Sequence, residues 1–168
     1  MLKKFYPNDY VDSIYEIDFA SYYKKGYRGL IFDIDNTLVP HGAPSTKEAV
    51  AIFNKIKGFG FKTCLISNNQ EPRVTPFAKD VNSPYIYNAH KPSTKNYIKA
   101  MEIMETDKSN TIFIGDQVFT DIYGANRTGI YSILSKPINP KEEIQIVLKR
   151  YLESIVLFFY KRKTNENE

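Results

Sequence analysis

Apolar positions along the chain follow two rhythms. Short runs rich in β-formers fall at residues 30–32, 61–67, 84–88, 111–114 and 130–134, each flanked by turn-forming residues, as suits strands buried on both faces of a parallel sheet. Between them lie longer segments with helical spacing. Ala49, Val50, Ile52, Phe53 and Ile56 predict a helix over 46–58, capped by Ser45 or Thr46 with Glu48 in its first turn. Further helices are predicted over 75–81, over 91–104 with Pro92 in the first turn, over 120–128 with Gly129 as the stop, and over 141–161. Strand and helix alternate five times. That pattern predicts an α/β fold, a three-layer, doubly wound, Rossmann-like parallel sheet of about five strands.

Residues 1–29 are rich in tyrosine and hold one short helix candidate over 19–25, with Asp18 at its start and Gly26 at its end. They read as an arm packed across the sheet edge. The expectation is a single domain over 1–168, with the arm at 1–29, a catalytic core at 30–135 and a C-terminal helix within 141–163.

Composition narrows the class. The 168 residues include a single cysteine, Cys64, inside an apolar run, so a core role is expected and an intrachain disulfide is excluded. No signal peptide opens the chain and no window approaches the ~18 to 20 apolar residues of a membrane span, so a cytoplasmic location is expected. The net charge of +4 collects near the two ends, at Lys3, Lys4, Lys24, Lys25 and Arg28 and at Lys149, Arg150, Lys161, Arg162 and Lys163. No stacking platform is interleaved with these cations near the polar motifs, so nucleic acid is not expected as a partner.

The candidate chemistry sits where strands end. Asp33 and Asp35 follow the first strand, Ser67 closes the second, Lys91 lies past the third and Asp116 follows the fourth. In a parallel sheet these ends share one edge, where open α/β sheets place ligands. Two carboxylates two residues apart raise one another's pKa, so the pair calls for a cation or a proton beside it. Taken singly, Ser67 and Asp116 are also plausible helix caps and Lys91 a solvated charge.

The stretch Asp33-Ile34-Asp35-Asn36-Thr37-Leu38 resembles the first motif of the haloacid dehalogenase (HAD) superfamily, Asp-x-Asp-x-Thr-Leu. Ser67, Lys91 before Pro92, and Gly115-Asp116 with Asp121 follow in the order of that superfamily's remaining motifs, across residues 30–134. The arm leading into the motif, with Ser67-Asn68-Asn69, resembles the YqeG-type HAD subclass IIIA phosphatases, relatives of the phosphatidylglycerophosphate phosphatases. The resemblance implies a phosphatase with Asp33 as nucleophile and Asp35 as general acid and base, the latter holding a proton near neutral pH. It implies Mg2+ held by Asp33, the Asp35 carbonyl and Asp116, with Asp121 and Thr37 in support. Ser67 and Lys91 would meet the phosphate, and Asn36 and Asn68 lie near enough to contact substrate.

HAD cap domains are inserted after the first motif or the third strand. Here residues 40–45 and Ala89-His90 leave no room for one, so an open site is expected, suited to a substrate presented on a surface. In the last helix Ile144, Val147, Leu148, Tyr151, Ile155, Phe158 and Phe159 form an apolar stripe, and 156–160 is apolar all round before Lys161. Residues 144–152 are expected to pack on the sheet. The far end suits an anionic membrane surface on the inner face, or a homodimer contact. A lipid phosphate such as phosphatidylglycerophosphate is the favoured substrate; a soluble sugar or nucleotide phosphate, or a non-enzymatic regulatory role, are the alternatives.

Overall fold

The computed structural model describes residues 2–139 and 144–165, with the side chains of 144–148 and 163–165 left undescribed. Six parallel strands form one sheet: β1 (Asp9–Val11), β2 (Gly29–Phe32), β3 (Lys62–Ile66), β4 (Tyr85–Ile86), β5 (Thr111–Gly115) and β6 (Tyr131–Ser135), in the order β1-β6-β5-β2-β3-β4. The helices are α1 (Phe19–Lys24), α2 (Lys47–Gly58), α3 (Glu71–Asp80), α4 (Lys95–Met104), α5 (Tyr123–Thr128) and α6 (Ile144–Asn165).

Strand alternation sets the three layers. Leu30 and Phe32 of β2 face one core with Phe19 of α1, Phe53 and Ile56 of α2 and Phe77 of α3. Ile31, between them, faces a second core with Tyr97, Ala100 and Met104 of α4 and Ala125 of α5. Chain order reverses at β2, which pairs with β3 on one side and β5 on the other. The crevice above that switch point is where the strand ends converge.

Five of the six strands match the sequence reading; the sixth comes from the arm. Asp9–Val11 adds to β6 in register Asp9 to Ile133, and three residues carry too little periodicity to announce a strand. Tyr22 of α1 ties the arm down by donating to Asp9 Oδ2 at 2.7 Å. Asp18 caps α1 through the Ser21 amide at 3.0 Å, and Gly26, at φ 101°, turns the chain out of it.

Some boundaries differ. The third helix begins at Glu71 rather than Thr75, because Pro72 falls in the first turn, where its missing N–H costs nothing. The fourth begins at Lys95 rather than Lys91. Proline disfavours the α conformation in the residue before it, and Lys91-Pro92 lies in a loop as a cis peptide. The segment expected as a helix from Thr120 opens with a π-helical turn, Val118–Ile122, that continues into α5. The expected start of the last helix at Lys141 falls outside the described residues.

The loops that would host a cap are short. Residues 40–45 lead straight to Thr46, whose hydroxyl caps α2 through the Ala49 amide, and no domain is inserted between β4 and α4.

Candidate active site

Asp33 follows β2 directly and lies at the floor of a pocket of about 200 Å³ lined by Asp33, Asp35, Asn36, Ser67, Asn68 and Lys91, with His41, Asn69, Gln117 and Thr120 completing its wall. Lys91 reaches in from the loop before α4, and its Nζ donates to Asp33 Oδ1 at 2.5 Å and to Asp121 Oδ1 at 2.7 Å. The lysine is itself held by Asn68, whose Oδ1 accepts from the Lys91 amide at 2.7 Å.

Thr37 stands between two carboxylates. Its hydroxyl lies 3.1 Å from Asp116 Oδ1 and 3.5 Å from Asp33 Oδ2, so one group reaches both acids. Asp121 turns back on the strand end, its Oδ2 accepting from the amides of Asp116 and Gln117 at 3.1 Å each. Only glycine at 115 allows this approach, since a Cβ there would sit 2.5 Å from Asp121 Oδ2. Tyr97 pins the same turn by donating to the carbonyls of Thr120 and Asp121.

Asp35 faces another way. Its Oδ1 accepts from the Gly42 amide at 2.7 Å and pairs with Arg73 at 2.9 Å, while Oδ2 accepts from the Asn69 side chain at 2.7 Å. Asn36, at φ 63°, accepts from the amides of Ile138 and Asn139 and so ties this loop to the one after β6. Ser67 Oγ accepts from the Asn69 amide at 3.1 Å.

A HAD-hydrolase-like family model matches residues 88–136. Over 165 residues the chain is 36% identical to the probable phosphatase YqeG of Bacillus subtilis, covering 97% of this chain and 96% of that one. The chain belongs to the YqeG family of HAD-superfamily phosphatases. A second relative is phosphatidylglycerophosphate phosphatase 1, chloroplastic/mitochondrial, of Arabidopsis thaliana, 27% identical over 94% of this chain and 48% of that protein. Among solved structures, the cobalt-bound deoxy-D-mannose-octulosonate 8-phosphate phosphatase of Haemophilus influenzae shares the fold, with TM-score 0.52, 12% identity and coverage of 82% of this chain and 91% of the other. A HAD phosphatase from Thermococcus onnurineus does so with TM-score 0.50, 14% identity and coverage of 69% and 88%.

In this YqeG-family phosphatase the acids suit a divalent cation. Asp33, Asp116 and Asp121 each offer an oxygen within 4.8 Å of the others, and all three are buried. Oxygen-only donors favour a hard ion of the magnesium or calcium kind. Burial pushes the Asp33 carboxyl well above its ordinary range; Lys91 pulls it back and Asp121 and Asp116 add to the rise. Burial and Asp121 likewise push Asp116 up to about 7, against Arg150 and Thr37. The cluster therefore holds more carboxylate than its cations neutralise, which a divalent ion or a retained proton corrects.

The surroundings of Asp35 correct one expectation. Burial alone would raise its pKa, but the Gly42 amide, Arg73 and Asn69 outweigh burial and hold the carboxyl below its ordinary value. Asp35 is thus ionised in the free enzyme, and the carboxylates pressing on Asp33 are Asp121 and Asp116. Asn68 serves the site by clasping the main chain of Lys91, while its neighbour Asn69 reaches Asp35.

The C-terminal helix corrects another. Tyr151 and Leu152 were expected to pack on the sheet, yet they are 67% and 48% exposed, as are Ile155, Phe158 and Phe159 to similar degrees. Arg150, Glu153 and Val156 face inward instead. The expected stripe members Ile144, Val147 and Leu148 fall among the undescribed side chains. Arg150 donates to the Asp116 carbonyl at 2.6 Å and pairs with the Asp116 carboxylate. The sequence offers Arg73, with His41 and Arg127, only as an unranked candidate for contact with the leaving group, and it does not mark Asn69 or Arg150 as site residues, because a lone arginine on a helix reads as a solvated charge and nothing local pairs Asn69 with Asp35.

Proposed function

We propose that this phosphatase removes the terminal phosphate of a membrane lipid, with phosphatidylglycerophosphate as substrate, Mg2+ as the ion and Asp33 as nucleophile. One observation carries the reading. The pocket admits a phosphoryl group but, at about 200 Å³, is smaller than clefts that enclose whole metabolites, roughly 300–1,000 Å³. The rest of the substrate therefore lies outside. The helix that touches Asp116 carries the exposed face Tyr151, Leu152, Ile155, Phe158 and Phe159, with Lys149, Lys161 and Arg162 exposed near its ends. Apolar surface flanked by cations suits an anionic bilayer, each nearby Lys or Arg contributing about 1 kcal/mol. No helix among the described residues is long and apolar enough to cross a membrane, so the contact proposed is peripheral.

In the first step an Asp33 carboxylate oxygen attacks phosphorus as the phosphorus to ester-oxygen bond breaks, and the departing alkoxide takes a proton from Asp35. In the second, water attacks the aspartyl phosphate, gives its proton to Asp35 and releases phosphate from Asp33. Asp35 is ionised and paired with Arg73 in the free enzyme, so its work as an acid begins once substrate has loosened that pair and the carboxylate has taken up a proton from water or from the phosphate monoanion. Lys91 neutralises charge beside Asp33, and Ser67 donates its hydroxyl to a phosphoryl oxygen. Mg2+, held by Asp33, the Asp35 carbonyl and Asp116, would supply the remaining charge neutralisation on the phosphoryl oxygens. Thr37 and Asp121 fix the ligands, and Asn36 and Asn68 shape the phosphate's approach.

The test is phosphate release from phosphatidylglycerophosphate in anionic vesicles against a panel of soluble sugar and nucleotide monoesters, each with Mg2+ and with chelator. Turnover of the lipid in Mg2+ and its loss in chelator are expected. Equal or faster turnover of soluble esters would overturn the lipid assignment and leave the phosphatase chemistry standing.

A further inference from the structure

Asp116 is gripped from two sides. From the core, Thr37 donates to Oδ1 at 3.1 Å, and the same hydroxyl lies 3.5 Å from Asp33 Oδ2, so Oδ1 is the Asp116 oxygen that shares a partner with Asp33. From α6, Arg150 spans the residue: one guanidinium nitrogen donates to the Asp116 main-chain carbonyl at 2.6 Å and the other pairs with Oδ2. A planar fork that bridges the carbonyl and carboxylate of one residue fixes that side chain's rotation, and a point charge lacks the geometry to do so. Arg150 is braced in turn by Glu153, whose Oε2 lies 3.1 Å from it, and the other Glu153 oxygen accepts from the Phe119 amide. Asp116 is 2% exposed and Glu153 4%, so both acids that Arg150 joins are buried in the seam between α6 and the turn that follows β5, while the arginine side chain is 21% exposed.

We propose that Arg150 is a positioning residue of the metal centre: by holding Oδ2 and the carbonyl of Asp116, it keeps Oδ1 turned toward Asp33 for the divalent ion. The C-terminal helix is thereby part of the site's construction and not only its outer cover. This rests on the reading of Asp33 and Asp116 as ligands, and its consequence for that reading is specific. Partners behind a ligating carboxylate are commonly worth about 10- to 100-fold in metal affinity.

The experiment is calorimetric titration of Mn2+ into the full chain, without substrate, for wild type, Arg150→Met, Arg150→Lys, Val156→Ala and Asp116→Asn. Val156 is 4% exposed on the same helix and packs in an apolar cluster with Val118, Ile122 and Leu134, so its truncation loosens α6 without removing a group of the fork. Arg150→Met is expected to weaken binding about 10- to 100-fold and Arg150→Lys by less, while Val156→Ala lowers the melting temperature and leaves affinity within about twofold. Arg150→Lys keeps the charge and provides the comparison if the methionine variant does not fold. Unchanged or tighter binding in both Arg150 variants overturns the proposal, the tighter case making the guanidinium a competitor of the ion. An equal loss in Val156→Ala overturns it too, since any loosening of α6 would then suffice. No binding by wild type, or equal binding by Asp116→Asn, sinks the metal-centre reading itself.

Discussion

Asp33 and Asp35 stand two residues apart and meet opposite surroundings. Asp33 shares Lys91 with Asp121 inside a buried cluster, whereas Asp35 turns toward Arg73, Asn69 and the Gly42 amide. Replacing the nucleophile should therefore remove turnover without unfolding the chain. Asp33→Asn is expected to cut phosphate release on the order of 10⁴-fold or more while its circular dichroism matches wild type, and turnover near wild type would exclude covalent catalysis by this residue. Arg73 makes a different prediction. It is among the groups that depress the Asp35 carboxyl, so Arg73→Gln should raise that pKa and move the acid-side limb of the kcat/KM profile, which reports Asp35 in the free enzyme, to higher pH; an unmoved limb would take the acid role from Asp35. The acids were legible because each follows an apolar strand, a position at which a charge needs a reason. The pairing of Arg73 with Asp35 was not, because the partner lies 38 positions away and nothing local marks it.

At the scale of elements, periodicity identified every core strand and helix but not the face that α6 buries. The apolar stripe pointed to Tyr151, yet two polar residues, Arg150 and Glu153, are turned inward because buried acceptors and donors await them at Asp116 and Phe119. An unpaired buried charge costs more than an exposed tyrosine or leucine, so electrostatics decides the helix's rotation. The first strand was illegible for another reason. Three residues, Asp9–Val11, form a strand only because β6 offers an open edge, and Tyr22 secures them through Asp9. Tyr22→Phe should lower unfolding stability by about 1–2 kcal/mol in denaturant melts, with kcat unchanged. No loss of stability would mean that the strand pairing alone retains the arm. Cys64 of β3 behaves as its run foretold: burial pushes its thiol up to about 12, so alkylation at pH 8 should proceed only in denaturant.

For the molecule as a whole, the acid cluster sets how stability depends on pH and on divalent ions. Asp116 has its folded-state pKa pushed up to about 7 from an ordinary value near 3.9, and Asp33 moves in the same direction. Between those values the folded chain binds protons that the unfolded chain has released, so stability falls as pH rises through the window. Asp35 works the other way, its contribution being lost only as pH drops below the ordinary carboxylate range, and Lys91, with a raised pKa, keeps its contribution throughout neutral pH. Without a metal, the melting temperature should therefore decline from pH 6 to pH 8. A divalent ion binds the ionised cluster, so the stabilisation it adds should grow over the same interval, by about 2.7 kcal/mol at a hundred times its Kd. Thermal melts at pH 6 and pH 8, with chelator and with saturating Mg2+ or Mn2+, measure both slopes. Asp116→Asn removes one titrating ligand and should flatten the metal-free slope and shrink the ion's increment together. A metal-free melting temperature that rises with pH would mean that the cluster's excess charge is neutralised by protein cations alone, and would leave a divalent ion no electrostatic reason to bind there.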